Sequence, residues 1–136
     1  MSRLSWPLAV LLAAATAAHG ESVPLPVATN VVTVAVLDSA RDQGAWRLGT
    51  VRYRFPQPVL YGAKQADGGE DEFAFDCATG TYAYARRTLT LAGVVVDERS
   101  FPEKTWASSR AAASPAGSVP ALALERFCAL KDVPRP

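Results

Sequence analysis

Glu72-Phe73-Ala74-Phe75-Asp76-Cys77 alternates without a break, which puts Phe73, Phe75 and Cys77 on one face of an extended chain and Glu72, Ala74 and Asp76 on the other. One face of this strand is therefore built to be buried. Ala78-Thr79-Gly80 supplies turn chemistry, and Thr81 to Leu91 resumes an extended pattern rich in Tyr and Thr, so the two segments read as a hairpin. Gly93 breaks the second strand. Val94-Val95-Val96 then starts a third member of the meander, which runs to Phe101 before Pro102.

Toward the N-terminus, Val31 to Leu37 is a β-branched apolar run bounded by Asn30 and Asp38, the pattern of a buried strand. Trp46 to Phe55 interleaves Trp, Val, Tyr and Phe with Arg47, Arg52 and Arg54, and Pro56 and Pro58 are expected to end its ladder by removing donors. Val59-Leu60-Tyr61 reads as a short edge piece. Gly62 to Asp71 reads as a polar loop with Gly68-Gly69 at its tip. Toward the C-terminus, Pro115 and the lack of an apolar stripe make Trp106 to Gly117 a loop. Ser118 can cap a helix that carries Ala121, Leu124, Phe127 and Cys128 on one face, and the tail from Asp132 is expected to fray. The fold expected is α+β: a mostly antiparallel sheet of about five to six strands with the C-terminal helix packed on it.

The 136 residues suffice for one domain, and no run reaches the ~18 apolar residues that would span a bilayer as a helix. No repeat or linker divides the chain. Arg3 followed by the apolar run Leu8 to Ala18 and then small residues has the layout of a secretory signal peptide, with cleavage after Gly20 or after Ala18. Residues 1–20 are thus assigned to the signal and 21–136 to a single domain. The expected product is periplasmic or secreted, without a membrane anchor, because no cysteine stands at the cleavage point to take a lipid. Removing the signal takes away one basic residue and no acid, so 13 basic residues balance 13 acidic ones. Such a balance provides no electrostatic footprint for nucleic acid.

Cys77 and Cys128 are the only cysteines, an even count in a chain expected in an oxidising compartment, so one disulfide is the natural reading. The strand alternation and the helix face would point both sulfurs inward. Two thiols without a histidine make no zinc site, and fifty intervening residues do not make a redox motif. No metal or other cofactor is expected. The lone His19 falls at the signal, which leaves no imidazole for an ordinary triad.

Several of these pieces occur together in a known family. Arg52-Tyr53-Arg54-Phe55-Pro56, Glu72 to Cys77, Gly80-Thr81-Tyr82, Gly93 to Val96, Trp106 and a Gly117-Ser118 helix ending at Cys128 follow one another in the order and spacing of the surface-adhesin protein E-like domains of Gram-negative envelopes, which the chain resembles from about Val31 to Cys128. The resemblance implies a non-catalytic exported protein. It also implies a protein ligand, either a host matrix protein such as vitronectin or laminin or another envelope protein, and a homodimer as one state. A periplasmic housekeeping role with a bacterial partner is the alternative.

Two clusters are candidates for chemistry. Tyr82, Tyr84 and Arg86 share strand parity with Thr88 and Thr90, and an exposed Tyr/Arg stripe is a protein-binding surface by composition; packing under the helix is the plainer reading. Asp67, Glu70, Asp71 and Glu72 would serve a small acid-dependent hydrolase if they converged in a pocket, and a solvated loop is their plainer reading.

Overall fold

The strand that holds the Phe73/Phe75 alternation starts much earlier than its apolar part suggests. In the computed structural model, which describes residues 21–135, β1 (Ser22–Pro24), β2 (Val32–Gln43), β3 (Trp46–Tyr61), β4 (Lys64–Asp76), β5 (Thr81–Leu91) and β6 (Val94–Ser100) form an antiparallel meander in chain order. A two-residue β7 (Ala111–Ala112) pairs with β5 beside the end of β6. The one-turn helix α1 (Trp106–Ser109) and the C-terminal α2 (Val119–Cys128) complete the domain. The expected signal segment, with His19, lies outside the described residues.

The meander and its capped helix follow the sequence reading, and Ser118 Oγ accepts the Ala121 N–H as expected of a cap. Four local expectations are corrected. Gly62 to Asp71 is not a loop: Gly68 and Gly69 lie mid-strand, where a Cβ would stand 2.7 Å from the Tyr53 carbonyl oxygen and 2.4 Å from that of Thr88. The glycines are there to let three backbones approach, not to turn the chain. Pro56 and Pro58 do not end β3 either. The last β2 pairing is Val32 with Arg54, and the β3–β4 ladder shifts register between Arg54 and Val59, so the missing donors break no paired bond. The loop from Trp106 contains α1 and β7. The tail does not simply fray, because the Pro134 carbonyl accepts the Asp42 N–H at 2.8 Å.

Both faces of the sheet are covered in part. On the helix face, Ala123 and Phe127 of α2 close over Ala35, Val51, Phe73 and Phe75; Leu124 and Cys128 are only half-buried. On the opposite face, Trp106 covers Leu48, Ala74, Ala83 and Ala85 and meets Trp46 edge-on, with ring centroids 5.7 Å apart. Each phenylalanine or tryptophan so buried removes a large apolar area from water, and together they supply the main cohesive term. Arg47 pins the far end of α2 by donating to the carbonyl oxygens of Phe127 (2.7 Å) and Leu130 (3.2 Å).

Cys77 and Cys128 form the expected disulfide, with Cα atoms 5.7 Å apart. It does not cross the interior. Asp76 ends β4 and its Oδ1 accepts the N–H groups of Ala78 (3.1 Å) and Thr79 (3.3 Å), so the chain turns before Cys77 and leaves that residue exposed at the rim. Closing a loop of 51 residues there contributes about 4 kcal/mol in the chain-entropy model.

Candidate functional site

Lys64 donates to Asp97 Oδ1 at 3.1 Å, although β4 places it five residues before Gly69, which lies level with Leu89 and Asp97 in neighbouring strands. Along a flat strand those five residues would span ~16 Å. The tip of the β3–β4 hairpin must therefore curl over the helix face. Between this curl and the first turn of α2 lies an open cleft of about 800 Å³.

Phe55, Tyr61, Leu89, Val119 and Pro120 make its apolar walls, and its floor carries a polar network. Asp71 is only 6% exposed, which demands partners for its carboxylate. Tyr53 Oη donates to its Oδ2 at 3.0 Å, while Arg87 Nε donates to Oδ1 at 3.0 Å and Nη2 to Oδ2 at 3.3 Å. Tyr53 directly faces Gly69, and the missing side chain leaves its ring room to reach diagonally to Asp71. Arg87 in turn lies 4.1 Å above the Tyr84 ring, which leans on Phe73.

Burial, then the charge and hydrogen bond of Asp71, push the Tyr53 phenol far above the ordinary tyrosine range. Burial also pushes Tyr84 up. For Arg87, burial works against the charge, but the hydrogen bond and charge of Asp71 outweigh it and raise its pKa. Both carboxylate oxygens thus have partners, and the phenol keeps its proton well above the ordinary tyrosine range.

The sequence-derived trio is divided. Glu72 pairs with Arg86 but its neighbour Phe73 pairs with Tyr84, so Ala85 is an extra residue in β5. Tyr82 and Tyr84 face the helix side, with Tyr82 edge-on to Phe73 at 5.7 Å, while Arg86 points to the opposite face, 3.9 Å from Glu98. The shared stripe of Tyr82, Tyr84, Arg86, Thr88 and Thr90 is therefore broken at this bulge, and Arg87 takes the place beside Tyr84.

The acids of residues 67–72 are separated as well. Asp71 faces the cleft, Glu70 and Glu72 face the other side and pair with Arg52 (2.9 Å) and Arg41 (2.7 Å), and Asp67 accepts the Ala92 N–H at the β5–β6 turn. Among the described residues, no group of three or more His, Cys, Asp or Glu side chains could hold a metal ion. Asp71 was legible as a buried acid had the alternation of Phe73 and Phe75 been carried back through Gly69; Arg87 was not, because a bulge has no local signature. No family model, no curated protein and no solved structure matches this chain.

Proposed function

We propose that the chain is an exported, non-catalytic binding domain that engages another protein along the free edge of β6, with the cleft beside that edge receiving side chains of the partner. One observation carries the reading. Strand β6 is the last of the meander, nothing among the described residues pairs with its outer side from Val94 to Ser100, and its Asp97 and Arg99 form the lip of the cleft. An extended segment added there gains main-chain hydrogen bonds, and every second side chain faces the cleft. Val94 and Val95, 65% and 53% exposed, extend the contact with apolar surface.

Export is supported by the layout of residues 1–20 and by a disulfide of the kind that persists in oxidising compartments. No described helix is long and apolar enough to cross a membrane. The resemblance to surface-adhesin protein E-like domains favours a host matrix protein as the partner; the absence of a cysteine at the expected cleavage point favours a partner within the envelope instead. The separation of Glu70, Asp71 and Glu72 onto opposite faces weighs against an acid-dependent hydrolase, which needs its carboxylates together.

The test combines protease treatment of intact cells, binding of the purified domain to immobilised vitronectin and laminin, capture from envelope extract, and hydrogen exchange on whichever complex forms. Slowed exchange of the β6 amides is the expected result. Protection confined to other strands would remove the reading, and a protein shielded from protease on intact cells would remove the host partner.

A further inference from the structure

The cleft has one charge too many. Lys64 is paired with Asp97 and Arg87 with Asp71, while Arg99, exposed at the lip, has no ion-pair partner among the described residues. Arg99 also lies directly across from Arg87 in the β5–β6 register. The two like-charged residues are register partners on the cleft side of adjacent strands, and Asp71, on the β4 side, pairs with Arg87 alone. On the opposite face Arg52 pairs with Glu70, Arg41 with Glu72 and Arg86 with Glu98, and Arg54 is left without an ion-pair partner among the described residues, but no cleft lies beside it.

We propose that the cleft is a binding site for a small amphiphilic carboxylic acid, its carboxylate paired with Arg99 and its hydrocarbon body lying along Leu89, Phe55, Tyr61, Val119 and Pro120. A single surplus charge calls for a monoanion, and the planar fork of an arginine matches a carboxylate through two parallel N–H donors. About 800 Å³ lies within the range of small-molecule pockets, which are mainly apolar with a few placed polar groups. The Asp71 network serves as a rigid polar floor: it keeps Arg87 turned inward over Tyr84, so the incoming carboxylate meets Arg99 first. The proposal uses the same cleft as the protein-binding reading but does not depend on a protein partner.

Titration of the isotope-labelled domain with monomeric decanoate, with 1-decanol and with decylammonium tests it by NMR. Saturable decanoate binding is expected, with shifts at the Leu89 and Val119 methyl groups and with decanol and decylammonium binding at least about tenfold more weakly. Arg99→Gln should weaken decanoate by about tenfold and leave decanol unchanged. Arg54→Gln removes an exposed charge from the opposite face and should leave decanoate binding intact. Equal binding of decanoate and decanol, no binding of either, no effect of Arg99→Gln, or shifts confined to Val94 and Val95 would each overturn the proposal. The exchange experiment on β6 contains no decanoate, so the two readings fail separately.

Discussion

Gly49 lies directly beneath the ring of Phe127: a Cβ built at Gly49 would stand 2.5 Å from two of the ring carbons. This residue of the first part of β3 has given up its side chain so that the last turn of α2 can sit flat on the sheet. Its conformation does not demand glycine; the space above it does.

Gly49→Ala should therefore destabilise the domain by about 1–3 kcal/mol through overpacking. Urea denaturation reads the shift in midpoint. If the variant matches the parent, α2 is free to move away from β3 and Phe127 does not pack tightly on Gly49.

Asp71→Asn keeps the shape of the buried acid but leaves Arg87 without its counter-charge. Arg87 is half in solvent, which reduces the penalty, so a loss of about 1–2 kcal/mol is expected, less than the cost of breaking a fully buried pair. A double-mutant cycle with Arg87→Gln should show positive coupling, and a cycle with additive effects would mean that the two side chains do not interact.

The tyrosines set an alkaline limit. Tyr53 and Tyr84 have phenol pKa values raised in the folded state, first by burial, so both states keep these protons below about 10 and their contribution to stability is then complete. As the pH rises past 10 the unfolded chain releases protons that the folded one retains, and stability falls. Tyr53 should gain phenolate absorbance only as the domain unfolds, and Tyr84 should gain it at higher pH in the folded domain than in the unfolded chain. Asp71→Asn removes one of the causes and should lower the Tyr53 value while leaving that of burial in place.

Ala92 adopts a φ of 51° in the two-residue turn between β5 and β6, followed by Gly93 at 82°. A left-handed alanine carries strain that glycine would not. Ala92→Gly should raise stability by about 0.5–1 kcal/mol, since relief of strain exceeds the added freedom of the unfolded chain. Calorimetry would show a higher melting temperature; a lower one would indicate that the turn is relaxed as it stands.

The same turn shows what can be read locally. Gly93 marked the strand break, as Ser118 marked the helix start, because caps and tight turns depend on residues within a few positions of one another. The alternation through Phe73 and Phe75 named the buried face of β4 for the same reason. The disulfide pairing followed from a count of two. The orientation of Cys77 did not, since Asp76 turns the chain just before it.

What the amino-acid order determined alone was an antiparallel meander with a capped helix and one disulfide, all set by short-range periodicity, backbone preference and cysteine number. The cleft was decided only in three dimensions. Gly68 and Gly69 have meaning only against the carbonyls of Tyr53 and Thr88, the curl of the β3–β4 tip only against Asp97, and the exchange of Arg86 for Arg87 beside Tyr84 only through a bulge. Each is a fit between segments distant in the chain, and close packing between such segments is settled by the partner that arrives, not by the residue's own neighbours.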